Sequence, residues 1–164
     1  MKLRIELEEL TSDILMSNDM YKIPVNVIKI AQNNNIDVFE GDLQNKASGA
    51  IRYDKDNDKF QIVVNKSDSL VRKRFTIAHE LGHYFMHKDV LIDEELHIDT
   101  LYRNADESTK EREKDAEYFA GALLMNKLLI EKMYSESKSI GELAAIFDVS
   151  VSAMTVRLDV LNLI

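Results

Sequence analysis

The stretch from Arg74 to His87, RFTIAHELGHYFMH, sets His79, Glu80 and His83 together in an otherwise apolar segment. On a helix, residues four apart project from one face a turn apart, so both imidazoles reach one point in space. HELGH fits the H-E-x-x-H pattern, in which two helical histidines bind zinc. The glutamate between them adjoins the first ligand and is poorly placed to be a ligand itself. It is well placed to take a proton from an attacking water, so its expected role is general base. The flanks FTIA and YFM argue against a solvated pair. Burying two unpaired imidazoles would cost about 1–3 kcal/mol each, which favours a shared cation.

A catalytic zinc ion keeps three protein ligands and one open position, so a third ligand has to come from elsewhere. The chain has no cysteine, which leaves imidazole and carboxylate. His87 lies four beyond His83, but three ligands on one straight helix would span about 12 Å, too far for one ion. The longer pattern that adds a glycine and a third histidine is broken here by Met86 and Asp89. The acidic run EREKDAEYFA is the richer source and offers Glu111, Glu113, Asp115 and Glu117. Glu113 and Asp115 would stand about 200° apart around a helix, so the two cannot face the ion together. Hydrolysis of an acyl group also needs a donor for the developing oxyanion. His97, Tyr102, Arg103 and Tyr118 are the candidates, with no preference among them. Arg72 and Arg74, at the start of the motif helix, read as ion-pairing or substrate-facing residues.

The elements that must position these groups are legible in outline. IPVNVIKIAQNNNI sets Val25, Ile28 and Ala31 at helical spacing with Pro24 at the first turn, and the asparagine run ends that helix. IDVF follows, and then SGAIRYDKDNDKFQIVVN, whose two strand-like runs flank DKDND as a hairpin. From Ser67 the pattern turns helical, with Leu70, Phe75, Ile77, Ala78, Leu81 and Phe85 apolar and only Gly82 as a breaker. The histidines are therefore expected in a helix beneath a sheet of three strands. After a polar connection from about Lys88 to Lys110, EREKDAEYFAGALLMNKLLIEKMY resumes helical periodicity as one long helix. The tail SIGELAAIFDVSVSAMTVRLDVLNLI reads as helix, turn near Asp148 to Ser150, and helix, the length pattern of a helix-turn-helix. The expected class is α+β.

Composition narrows the function. With 45% hydrophobic and 30% charged residues and one proline in 164 residues, the chain is expected to fold as one globular domain with a small helical appendage. It has no apolar run near 18 residues, and MKLRIELEELTSDILM mixes acids into its apolar positions, so neither a membrane span nor a secretory signal is expected. The expected location is the cytoplasm. A net charge of −8 argues against broad nucleic-acid binding. In the tail, Lys138 and Arg157 stand against Glu142, Asp148 and Asp159, so DNA binding is not expected there either. Ile140, Leu143, Ala144, Phe147, Val149, Val151, Leu158 and Leu161 are expected to bury one face of the tail on the core. Arg157 is expected to affect substrate affinity at most.

RFTIAHELGHYFMH followed by EKDAEYFAGALLMN closely resembles the ImmA/IrrE family of metallo-endopeptidases, whose second motif runs roughly E-x-x-A-(N/D)-x-F-A-x-x-L-L-M-P. Matching residue by residue puts Glu113 at the ligand position and Ala116 at the small residue, with Phe119, Ala120, Leu123, Leu124 and Met125 on the remaining positions. Glu117 replaces the usual Asn or Asp, and as a carboxylate one turn beyond Glu113 it is expected to orient a ligand histidine. Asn126 replaces the usual proline and is expected to affect only helix termination. YKIPVNVIKIA, SGAIRYD, IVVNKSDS and LAAIFDVSVSAMTVRLDVL also look like segments of standalone members, so the resemblance covers nearly the whole chain. It implies a zincin-like, gluzincin-like peptidase domain over residues 1–134 and a helix-turn-helix-like appendage over 135–164. It also implies Zn2+ held by His79, His83 and Glu113, with Glu80 as the catalytic residue. The implied substrate is a helix-turn-helix repressor or other regulatory protein of a bacterium or mobile element, cleaved to relieve transcriptional repression. The alternative is a non-catalytic, antitoxin-like regulatory module that binds metal without turnover.

Overall fold

The computed structural model describes residues 4–19, 21–43, 47–93, 97–98, 107–136 and 138–164. Strands β2 (Gly49–Asp54) and β3 (Lys59–Asn65) form the expected antiparallel hairpin, with Ile51 opposite Ile62. Its turn is closed by Asp54, whose carboxylate accepts the backbone N–H of Asp56 and the side-chain amide of Asn57. Along β3, Phe60, Ile62 and Val64 point inward and are buried, the period-two pattern of a strand with one covered face. Strand β1 (Ile36–Gly41) pairs parallel to β3, so the sheet is mixed. A two-residue strand, β4 (His97–Ile98), adds to the free edge of β2 and gives the order β1-β3-β2-β4. It lies inside the stretch read as a polar connection, and two residues are too few to show periodicity.

Seven helices accompany this sheet among the described residues, with α2 and α3 packed against its strands. Helix α1 (Arg4–Ser17) was not singled out by sequence, because acids interrupt its apolar positions. Leu7, Thr11, Ile14 and Leu15 nonetheless make a buried stripe at helical spacing. Helix α2 (Val27–Asn33) starts later than Pro24 suggested. Asn26 caps it by accepting the N–H of Lys29 at 3.0 Å, and Val27, Ile30 and Ala31 face inward while Ile28 faces out. Helix α3 (Leu70–Asp93) carries the two histidines, and α4 (Glu107–Leu124) carries the acidic run. Leu70, expected among the apolar positions, is exposed at the start of α3.

The second long helix is in fact two, α4 and α5 (Lys127–Tyr134), broken at Asn126. The Asn126 side chain caps α5 by accepting the N–H of Leu128 at 3.1 Å. It also accepts the Tyr21 hydroxyl at 2.8 Å and donates to Ser12 Oγ at 3.0 Å. A buried amide thus ties three segments together, a larger role than terminating a helix.

The tail forms α6 (Ile140–Phe147) and α7 (Val151–Val160), joined through Asp148 in the left-handed region at φ 53°. Ser139 and Glu142 make a reciprocal capping box at the start of α6. Leu143, Ala144, Phe147 and Leu158 are buried, whereas Val151 is exposed. Arg157, expected only to affect substrate affinity, is 3% exposed. Its guanidinium donates to both carboxylate oxygens of Glu8, at 2.6 and 2.8 Å, and Nε donates to the Met125 carbonyl at 2.9 Å. Arg157 is therefore an anchor between α7, α1 and the end of α4. Arg74 ties the α6–α7 turn to α3, donating to the carbonyls of Val25 and Asp148 and ion-pairing with the Asp148 carboxylate. Burial lowers its pKa and the Asp148 charge partly restores it. Among the described residues no helix is long and apolar enough to cross a membrane.

Candidate metal centre

Helices α3 and α4 run against each other because both are small where they meet. A Cβ built on Gly82 would lie 3.0 Å from Phe119 Cδ1 and 3.2 Å from Ala116 Cα, closer than ordinary packing distance. The glycine that looked like a helix breaker is the residue that lets the helices approach. Glu113 stands one turn before Ala116, and this approach brings its carboxylate to the histidines.

His79 Nε2 and His83 Nε2 are 3.1 Å apart. Glu113 Oε2 is 3.2 Å from His79 Nε2, and Glu113 Oε1 is 3.1 Å from His83 Nε2. Three side chains thus turn lone-pair donors onto one point, and each can supply one ligand atom. A tetrahedral centre with bonds of about 2.0–2.1 Å has ligand-to-ligand edges of about 3.3–3.4 Å, close to the spacing here. The donor set of two neutral imidazoles and one carboxylate also suits a borderline cation such as zinc. The residues present therefore fit a divalent metal ion. His79 and His83 are 7% and 1% exposed, so their nitrogens are withdrawn from bulk water.

Glu80 is fully buried on the neighbouring face of α3. The first residue of β2 lies against it. A Cβ on Gly49 would fall 2.2 Å from Thr76 Cγ2 and 3.2 Å from Glu80 Oε1, so only a glycine lets the strand cross α3 at this height. His83 faces a further group on its other side, where His83 Nδ1 and His87 Nδ1 are 3.3 Å apart. Sequence reasoning missed Gly49, and it weighed His87 only as a ligand, not as a neighbour of His83 Nδ1. A glycine opening a strand was a visible signal for the first, and the i, i+4 spacing from His83 for the second.

The remaining candidates separate. Asp115 is buried but is not among the converging ligand atoms, and Glu111 is partly buried outside them. Glu117 is exposed, which corrects the expectation that it orients a ligand histidine. The Tyr118 hydroxyl donates to Glu8 Oε1 at 2.8 Å, and Arg157 lies over its ring. Burial and the Glu8 contact raise its pKa. Tyr118 therefore joins the α1–α7 junction through Glu8 and Arg157. His97 contributes only backbone to the description, in β4, and Tyr102 and Arg103 lie outside the described residues. Arg72 donates to Ser48 Oγ at 3.1 and 3.0 Å.

With this fold and these three converging side chains, the chain belongs to the peptidase family described as the IrrE N-terminal-like domain, whose model matches residues 31–159. It is 32% identical over 126 residues to metallopeptidase ImmA of Bacillus subtilis (strain 168), an overlap of 76% of this chain and 69% of that protein. Among solved structures it resembles a Mycobacterium tuberculosis transcriptional regulator with a TM-score of 0.67 and 21% identity, a likeness of fold. That match covers 93% of this chain and 46% of the regulator, so the chain spans less than half of that protein's length.

Proposed function

We propose that the chain is a zinc-dependent endopeptidase in which His79, His83 and Glu113 hold the metal and Glu80 is the catalytic base. The observation that carries this reading is the convergence of two Nε2 atoms and a carboxylate within 3.1–3.2 Å beside a buried glutamate. A divalent cation held there would supply Lewis-acid polarisation of the scissile carbonyl and lower the pKa of water. The chain's own residues supply the rest. Glu80 takes the proton of the attacking water and delivers it to the leaving amine, so that one carboxylate serves both halves of the reaction. The burial of His79 and His83 keeps competing water from their nitrogens and strengthens their electrostatic hold.

The substrate in this reading is a regulatory protein, with a helix-turn-helix repressor first in line, cleaved in the cytoplasm to relieve repression. The metallopeptidase name of the Bacillus relative supports a protein substrate, and the resemblance of both sequence motifs to the ImmA/IrrE family supports a regulatory one. DNA is not the partner: α7 carries Arg157 as its single basic residue, and that residue is buried against Glu8. The tail in this reading is an appendage packed on the peptidase core over residues 135–164.

Replacing Glu80 with Gln tests the reading. The variant is expected to keep its zinc and lose cleavage, and to capture its uncut protein substrate from an extract of its host. Equal cleavage by Glu80→Gln would remove Glu80 from the reaction. Capture of the same partner with no cleavage by the parent would favour the non-catalytic regulatory module.

A further inference from the structure

His83 uses only one of its two ring nitrogens in the cluster with His79 and Glu113. The other, Nδ1, is buried with the rest of the ring, since His83 is 1% exposed, and buried polar nitrogens are almost always hydrogen-bonded. Its neighbour at 3.3 Å is His87 Nδ1, and the two rings are 5.5 Å apart at centroid and tilted by 47°. His87 is also where α3 departs from helical geometry, at φ −132° and ψ 27°.

A neutral imidazole carries one N–H and one lone pair, so an Nδ1-to-Nδ1 contact needs one ring to donate and the other to accept. His83 presents Nε2 to His79 Nε2 and Glu113 Oε1 at 3.1 Å each, and a ligand nitrogen must offer its lone pair. The hydrogen of His83 is then on Nδ1. We infer that His87 is a positioning residue for the metal centre: its Nδ1 accepts the Nδ1–H of His83 and so holds the ring and tautomer that turn Nε2 to the metal. Ligand histidines in general are oriented by such a partner, most often a carboxylate or backbone carbonyl. Here the partner is a second imidazole, one turn further along the same helix, and the backbone departs from helical geometry at its position. His87 cannot be a ligand to the same ion, because it meets the opposite nitrogen of His83 from the one facing His79 and Glu113.

The inference rests on the metal-centre reading above, and one titration separates the two. Zinc affinity is measured by competition with a chromophoric chelator for the parent, His87→Leu, His87→Asn, His83→Ala and Glu113→Ala, with the thermal midpoint of each metal-free protein recorded alongside. Leu and Asn have nearly the same shape, but only Asn places an acceptor on Cγ where Nδ1 of histidine sits. His87→Leu is expected to lose about 10–100-fold in zinc affinity and His87→Asn to stay within about threefold of the parent, with similar metal-free midpoints for the two. If His87→Leu fails to fold, His87→Phe, which keeps ring bulk without an acceptor, takes its place with the same expected loss. Equal losses in the Leu and Asn variants would make the role one of packing and overturn the inference, and so would the absence of any loss. Unchanged zinc binding in His83→Ala and Glu113→Ala would instead overturn the metal-centre reading itself.

Discussion

Gly49→Ala is a one-carbon perturbation whose outcome follows from where the added atom must go. The new Cβ would stand 2.2 Å from Thr76 Cγ2, whereas carbon atoms in contact sit about 3.5–4.0 Å apart. Thr76 is 3% exposed on α3 and has no open space to retreat into. Overpacking of this kind costs about 1–3 kcal/mol. For a chain of this length each kcal/mol moves the midpoint by about 2–4 °C, so Gly49→Ala should melt about 2–12 °C below the parent. Calorimetry of the metal-free proteins reads this directly. Thr76→Ser removes the methyl that the Cβ meets and keeps the hydroxyl, so the Gly49→Ala, Thr76→Ser double variant should recover most of the loss. The two sites touch, so their effects should fail to add by about 0.5–3 kcal/mol. The 3.2 Å approach to Glu80 Oε1 remains in the double variant, and displacement of the proposed base should keep its turnover well below the parent's. A Gly49→Ala protein as stable as the parent, or a loss that Thr76→Ser leaves untouched, would refute the claim that this glycine sets the spacing of sheet and helix.

Three further outcomes are expected. Arg157→Met should cost about 3 kcal/mol, the lower end for breaking a buried ion pair because the Glu8 side chain is 16% exposed; adding Glu8→Gln should regain part of it in denaturant titrations. Tyr118→Phe should lose about 1 kcal/mol of stability with the Glu8 hydrogen bond but leave kcat near the parent value, whereas an oxyanion donor would cost about 10²–10³-fold in kcat. The Ser139 hydroxyl and backbone N–H hold the Glu142 carboxyl below its usual range, so this capping box stabilises the fold at neutral pH and is lost as pH falls through that lowered value. Thermal midpoints from about pH 6 to about pH 3 should therefore fall less steeply in Ser139→Ala than in the parent.

Periodicity made the hairpin, the two site-bearing helices and the paired tail helices legible, because in each the buried positions repeat over several turns or alternations. It failed where few residues carry the pattern or where polar side chains interrupt it. The two-residue β4 offers no period at all, and the buried stripe of α1 contains Thr11 among acids. The anchoring role of Arg157 was not legible because nothing in its local sequence announces Glu8, 149 residues away. Asn126 looked like a weak stop signal for the same reason, since Tyr21 and Ser12 reach it only in the folded chain. At the site, spacing alone paired His79 with His83, and Glu113 was chosen over its acidic neighbours by motif resemblance. Gly49 acts through a contact between elements that no repeat announces, whereas the spacing of His87 from His83 was visible but the break in α3 at His87 was not.

Whether His79, His83 and Glu113 together hold one metal ion is tested most directly by zinc content per chain after exhaustive dialysis. Elemental analysis should find about one zinc per chain in the parent and in Glu80→Gln, and far less in His79→Ala, His83→Ala and Glu113→Ala. Asp115→Ala should retain more zinc than Glu113→Ala. Parent-like zinc in the His83→Ala and Glu113→Ala proteins, or a greater loss at Asp115 than at Glu113, would contradict that ligand set.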